Sequence, residues 1–281
     1  MVKISGVVIT FNEEKNIGRC LESLKDVADE LVVVDSLSTD RTEEICRQYN
    51  ARFIKQPFLG YVDQKAFAAE QAKYDFVLSL DADEALSEEL KKSILAVKEN
   101  PDADAYQFNR YNNYCGKWLR LGGFYPDRKI RLWNRTKGAW EGENIHEKVI
   151  MRKGSIIKRL RGDILHYAYE TLDQHLEQMY KFSLIAAQGK FQRGRRHSFI
   201  MHVLMSPLFK FVKKYIFQGG FLYGYYGFVF CATAAAVNFF KYLRLYEYNR
   251  LKKKPLDDFN DNRPTLPSGA EGSGGEVSRP S

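Results

Sequence analysis

Residues 76–84 read Phe-Val-Leu-Ser-Leu-Asp-Ala-Asp-Glu. Five residues with one serine among apolar side chains suit a strand buried on both faces, and the run stops at a carboxylate. Two acids spaced two apart, Asp81 and Asp83, then sit where such a strand leaves its sheet. Oxygen ligands at that place can hold a hard divalent cation, which in turn can offset the charge of a pyrophosphate leaving group. The bland alternative is a polar loop followed by a helix cap.

Working outward, the same pattern recurs. Residues 4–11 and 30–35 are apolar runs ending at Asn12-Glu13 and at Asp35-Ser36, and residues 52–55 form a shorter one. Between them, helical spacing appears at Ile17, Cys20, Leu21 and Leu24 behind Asn12 as a predicted N-cap. It appears again after a capping pair at Asp40 and Glu43, over 63–72, and over about 87–99. Alternating strands and helices predict an α/β fold with a mostly parallel sheet flanked by helices. Ligands of such sheets bind at the carboxyl ends of the strands, and three of those ends are polar here.

Beyond residue 104, aromatics, Gly and Arg mix with short strand patterns at 105–108, 129–133 and 147–151, which predicts a mixed extension of the sheet. A helix is expected over 171–188. The resulting division is a catalytic domain over 1–170, with a nucleotide-binding half (1–100) and an acceptor-side half (101–170). A helical, basic and aromatic region follows over 171–255, and a disordered tail over 256–281.

The net charge of +8 is unevenly spread. Residues 189–254 contain 13 of the 43 Lys and Arg but one acid, Glu247, leaving 30 basic against 34 acidic side chains elsewhere. Such a block points to an anionic surface. Tyr215 to Phe240 holds no Asp, Glu, Lys or Arg, yet it carries four glycines and four tyrosines, which makes its first half a poor spanning helix. Basic residues flanking an aromatic run suit helices lying in a membrane interface and argue against nucleic acid as partner. The N-terminus enters a strand at once and reads as having no signal peptide. Four scattered cysteines argue against a disulfide framework or a zinc site and suit a reducing, cytoplasmic setting.

The first turn, Thr10-Phe11-Asn12-Glu13-Glu14, lacks the Gly-x-Gly-x-x-Gly of dinucleotide sites, and no P-loop occurs. An acid at the position of Asp35 commonly hydrogen-bonds a nucleoside. His146 is a possible metal ligand, and Glu147 or Asp127 could take a proton from an acceptor hydroxyl, with Glu143 a rival. Lys65 could meet a phosphate, although an exposed helix lysine is the expected reading. His166 reads as ordering a strand end. A nucleotidyltransferase and a non-enzymatic anionic-surface-binding protein are the competing functions.

Together, Thr10–Glu14, Val34–Thr42 and Leu80–Glu84 resemble the signatures of family 2 glycosyltransferases with the GT-A fold. Gly122–Asp127, Arg131–Trp133, Ile145–Glu147 and Gly224–Gly227 are similar to its lipopolysaccharide-core β-glucosyltransferase branch. The resemblance spans roughly residues 4–250. It implies an inverting transfer of a hexose, glucose foremost, from a UDP-sugar donor to a glycolipid or core-oligosaccharide acceptor. This would occur at the cytoplasmic face of the inner membrane. It further implies that Thr10, Phe11, Asn12, Glu13 and Asp35 hold the uridine, that Asp81 with Ala82 faces the ribose or sugar, and that Asp83 ligates Mg2+ or Mn2+. Leu37 and Arg41 stand where the family commonly has glycine. The family's Gln-x-x-Arg-Trp motif is absent, which implies a non-processive enzyme.

Overall fold

The computed structural model describes residues 1–142, 147–194 and 198–251. The tail expected to be disordered, and the candidates Glu143 and His146, lie outside the described residues.

Four strands open the chain: β1 (Ile4–Thr10), β2 (Glu30–Asp35), β3 (Arg52–Lys55) and β4 (Phe76–Asp81). Between and after them run α1 (Ile17–Leu24), α2 (Thr42–Gln48), α3 (Tyr61–Glu70) and, beyond the short β5 (Glu84–Leu86), α4 (Glu88–Glu99). The strands pair in parallel in the order β3-β2-β1-β4. Val7, Val8, Val32, Val33, Val34, Val77, Leu78 and Leu80 are fully buried, as an apolar run covered on both faces requires. Alternate residues divide between two cores. Val8, Val33, Leu78 and Leu80 pack with α1 and α4, and Val7, Val32, Val34 and Val77 pack against Ala68 and Ala69 of α3. Each such side chain contributes about 1.5–3 kcal/mol on burial.

The second half makes the sheet mixed. β6 (Ala105–Tyr114), β7 (Lys117–Leu119), β8 (Asp127–Asn134) and β11 (Ile157–Tyr169) extend it to β3-β2-β1-β4-β8-β6-β11-β5, with β7 on the edge of β6. β9 (Gly138–Glu141) and β10 (Lys148–Met151) form a separate hairpin-like pair. β8 runs antiparallel to β4, so Trp133, fully buried, faces Val77 across the junction. β11 is parallel to β6 and antiparallel to β5, with a bulge between Arg159 and Asp163. At Gly162, φ is +91°, and a Cβ there would lie 2.6 Å from Leu90 Cα. Only glycine lets β11 pass so close to the start of α4.

Local details correct several expectations. Asn12 is not an N-cap: the cap of α1 is Asn16, and Asn12 turns at φ +51° so that its Oδ1 accepts from Thr39 N. Leu37 adopts φ +67°, a left-handed conformation normally left to glycine. The cap position of α2 is Arg41 rather than Asp40, and Asp40, one residue before it, accepts from Thr42 N at 3.0 Å.

The C-terminal helices are α5 (Leu172–Gln192), a π-helical stretch Phe199–Met205, α6 (Ser206–Val212), a π turn Lys213–Phe217, a 3-10 turn Gly220–Tyr223 and α7 (Gly224–Leu251). Thr171 and Gln174 form a capping box on α5. His175 fastens these helices to the sheet. It stacks between Tyr169 of β11 and Phe230 of α7, and its Nδ1 lies 3.1 Å from the hydroxyl of Tyr114 on β6. Burial pushes its pKa down to about 4, so this ring is neutral at physiological pH.

Candidate active site

A cleft of about 670 Å³ opens at the carboxyl ends of β1 and β4. Register fixes its floor: Thr10 pairs with Asp35 on one side of β1, and Ile9 with Asp81 on the other. Thr10, Phe11, Glu13, Ser36, Lys65, Asp81, Ala82 and Asp83 line one wall. Arg110 of β6, Arg128 to Arg131 of β8, Trp140, Glu147, and His166 and Tyr169 of β11 line the rest. Gln178 and Phe182 of α5 reach in from the helical region.

A line of ion pairs crosses this floor. Lys65 is only 2% exposed, which overturns the exposed-lysine reading. Its Nζ lies 3.0 Å from Asp81 Oδ2 and 2.9 Å from Glu147 Oε1. Arg131, also buried, donates to Asp81 and to the fully buried Glu84, each at 3.1 Å. Arg110 then links Glu84 at 3.5 Å to Asp127 at 2.9 Å, and Lys129 closes on Asp127 at 3.3 Å. Trp140 covers two members, with its ring centroid 5.0 Å from Lys65 and 5.3 Å from Arg131. Buried charges persist only when paired, and deleting one partner of such a pair typically costs about 3–5 kcal/mol. Burial raises the Asp81 carboxyl, but Lys65 and then Arg131 outweigh it and hold the group far below the carboxylate range. Asp81 is therefore neutralised by protein cations.

Asp83 differs. Its Oδ2 is 3.2 Å from His166 Nε2. His166 Nδ1 lies 2.7 Å from Asn112 Oδ1, an acceptor that suits a proton on Nδ1 and frees Nε2 to ligate a cation shared with Asp83. One carboxylate and one imidazole nitrogen thus converge. They are fit partners for a divalent cation whose other ligands come from elsewhere: among the described residues no group of three or more His, Cys, Asp or Glu is placed to hold a metal. Mg2+ and its relatives are commonly bound this way, by one or two protein ligands plus substrate phosphate oxygens. Glu13 joins the rim as a largely protonated carboxyl. Burial first, and then the charge of Asp83, push its carboxyl up to about 8. Thr10 Oγ1 and Trp140 Nε1 are buried with no hydrogen-bond partner among the described residues, the state expected of groups that meet a ligand.

Other candidates have structural work. Asp35 is fully buried and its carboxylate accepts from the backbone N of Ser38 at 2.8 Å and from the Ser38 hydroxyl. Ser38 in turn accepts from Asn12 N at 2.7 Å. Asp35 and Asn12 therefore build the platform under Thr10 and Phe11, and neither lines the cleft. Asp127 is clamped between Arg110 and Lys129 and also lies off the cleft wall. Glu147 faces the cleft. Burial raises its carboxyl, but the Lys65 charge and hydrogen bond outweigh that and keep it below its ordinary value, so it is ionised at neutral pH. Sequence reasoning missed Arg131, Arg110 and the pairing of His166 with Asp83. The sequence marked His166 only as ordering a strand end, and its partner Asp83 stands far earlier in the chain, just before β5, with which β11 pairs.

Residues 5–158 match the sequence profile of Glycosyl transferase family 2. Over 258 residues the chain is 32% identical to a glycosyltransferase of Rickettsia typhi, covering 88% of each chain. It is 29% identical over 265 residues to the lipopolysaccharide core biosynthesis glycosyltransferase LpsC of Rhizobium meliloti, covering 91% of this chain and 96% of the relative. Among solved structures it is similar to S. aureus TarS 1–349 in complex with UDP-GlcNAc, with 15% identity, a TM-score of 0.43, and coverage of 89% of this chain and 92% of that one.

Proposed function

This chain belongs to glycosyl transferase family 2 and is a glycosyltransferase, and from that premise we propose that it moves a hexose, glucose foremost, from a UDP-sugar to a lipid-linked or lipopolysaccharide-core acceptor by direct displacement with inversion. The observation that carries this reading is the convergence of Asp83, His166 and Glu147 on one cleft at the strand ends. Thr10 and Phe11 face the nucleoside, and the buried Asp35 and Asn12 serve it indirectly by fixing their backbone. Arg110, Arg128 and Lys129 give the far wall a positive lining suited to diphosphate oxygens.

Asp83 and His166 would hold the Mg2+ or Mn2+, which supplies Lewis-acid stabilisation to the departing nucleoside diphosphate. Glu147, already ionised, accepts the proton of the attacking acceptor hydroxyl, while the bond from the anomeric carbon to the diphosphate oxygen breaks. Glu147 is preferred to Asp127 because Glu147 lines the cleft whereas Asp127, held by Arg110 and Lys129, lies off its wall. The name of the Rhizobium relative supports a lipopolysaccharide-core acceptor.

The proposed place is the cytoplasmic leaflet of the inner membrane, and the C-terminal helices support its membrane-surface part. Ile200, Met201, Leu208, Phe209, Ile216, Phe217 and Leu222 are exposed, Phe217 at 79%. Gly220–Arg250 is long and apolar enough to cross a bilayer. Yet α7 packs along α5 and α6 and buries Gly227, Cys231, Ala235 and Asn238, so the helices are read as lying on the leaflet.

The test is a donor screen with UDP- and GDP-sugars, with and without Mn2+, on the wild type and Asp83→Ala. Turnover of a UDP-hexose is expected, falling at least ~100-fold in the variant, about 2.7 kcal/mol of transition-state stabilisation. Equal turnover by the variant would remove the metal role, and turnover of GDP-sugars alone would remove the uridine assignment.

A further inference from the structure

The C-terminal helices carry a concentration of positive charge that the cleft does not use. Lys190 lies in the last turn of α5, Lys210 on α6 and Lys241 on α7, and all three are half-buried. Lys190 and Lys241 share one ring, and Lys241 also meets one amide. Lys190 Nζ is 5.6 Å and Lys241 Nζ 4.2 Å from the centroid of Tyr242. Asn238 bridges the helices: its Nδ2 donates to Ser206 Oγ at 2.6 Å, and its Oδ1 accepts from Lys241. Ser206 stands one turn before Lys210 on α6. Burial first, and then Lys210 and Lys190, push the Lys241 pKa down to about 8. Lys210 is lowered in the same sense, by burial and then by Lys214. The charged groups acting on Lys241 are thus cations that repel it, carried on two helices that both pack against α7.

Beside these lysines runs the exposed apolar stretch. His202, on the π-helical segment, packs its ring 5.2 Å from the same Tyr242, and Ile200, Met201, Leu204 and Phe209 around it are exposed. Converging cations at the margin of exposed apolar side chains match the chemistry of a phospholipid, whose phosphate sits at the margin of its acyl chains. We propose that Lys190, Lys210 and Lys241, with Asn238 and Ser206 beside them, seat the phosphate of one anionic lipid headgroup. This rests on the membrane-surface reading above and narrows it to a single place between α5, α6 and α7.

The experiment is co-sedimentation of the full chain with vesicles of phosphatidylcholine alone and of phosphatidylcholine mixed with phosphatidylglycerol. Neutral vesicles report the apolar face, and the gain on adding phosphatidylglycerol reports the lysines. Wild type is expected to bind both, with the anionic vesicles favoured. Lys210→Gln/Lys241→Gln should bind neutral vesicles as wild type does and lose about tenfold of its anionic preference. Lys92→Gln/Lys153→Gln, which removes two exposed charges elsewhere, should keep that preference. Lys210→Arg/Lys241→Arg should keep it too, which separates loss of charge from loss of fold. An equal fall in the Lys92/Lys153 control, or no fall in the Lys210/Lys241 pair, overturns the seat in favour of diffuse attraction. Displacement from anionic vesicles by millimolar inorganic phosphate at constant ionic strength overturns the lipid as the source of the anion. Failure of the wild type to bind either vesicle removes the membrane reading itself, an outcome distinct from a lysine pair that has no effect on a protein that binds.

Discussion

Lys65 is the residue on which the cleft turns. It is buried between Asp81 and Glu147, and its charge is the reason that Glu147 stays ionised despite partial burial. The depressed carboxyl works in one direction: Glu147 is competent as a base above its lowered pKa and loses that competence as pH falls through it. Lys65→Met removes the cation while keeping the bulk, so the Glu147 carboxyl must rise and the acid limb of the kcat profile must move to higher pH. A uniform loss of rate with an unmoved limb would show that Lys65 acts on the donor rather than on Glu147. The sequence alone suggested an exposed helix lysine because burial here depends on partners 16 and 82 positions away. By contrast, Asp81 and Asp83 were legible, because a buried apolar run that ends in acids carries its own local signature.

Among the elements, β11 does the most to assemble the site and was the hardest to foresee. The four parallel strands of the first half announce themselves as apolar runs, since both of their faces are covered. β11 begins Ile-Lys-Arg-Leu-Arg-Gly-Asp, half exposed and rich in charge, and it pairs with β6 about fifty residues upstream, so neither period nor composition marks it. Its bulge at Gly162 realigns the strand before it carries His166 to Asp83. A side chain at that position meets the backbone of Leu90 and needs a left-handed φ. Gly162→Ala should therefore cost about 2–4 kcal/mol of stability, read as a lower denaturation midpoint with unchanged m-value. Wild-type stability in that variant would mean that β11 can reach β5 without the close pass over α4.

At the scale of the whole molecule, a sheet with a polar rim is joined to a helical layer with an apolar outer surface. The chain's composition located the basic, aromatic region but not which part of it faces outward. The charge-free stretch 215–240 was the obvious candidate, and Phe217, Leu222 and Tyr225 within it are exposed, but so are Ile200, Met201 and Phe209 before it. α7 instead spends one face on α5 and α6, a pairing that no local pattern records. Phe209→Ser/Phe217→Ser is expected to shift the protein from the membrane to the soluble fraction in detergent-free lysates at low salt. Burial of a Phe side chain is worth about 2 kcal/mol, so the partition should fall at least a hundredfold. Retention of the variant on membranes would assign anchoring to other residues.

The strand-side loop 120–123 is fastened to this helical layer at three points. Arg120 N donates to the Tyr223 hydroxyl at 2.7 Å, Gly122 N to Gln218 O at 2.7 Å, and Lys214 Nζ to Gly122 O at 2.9 Å. That loop leads directly into β8, which carries Arg128 to Arg131. A protein resting on its helical layer would then hold its reaction centre at a set altitude above the lipid, like a gauge. Hydroxyls presented nearer or farther than that altitude would be passed over, so that, for the proposed lipid-linked acceptor, its reach from the lipid would be part of what is recognised.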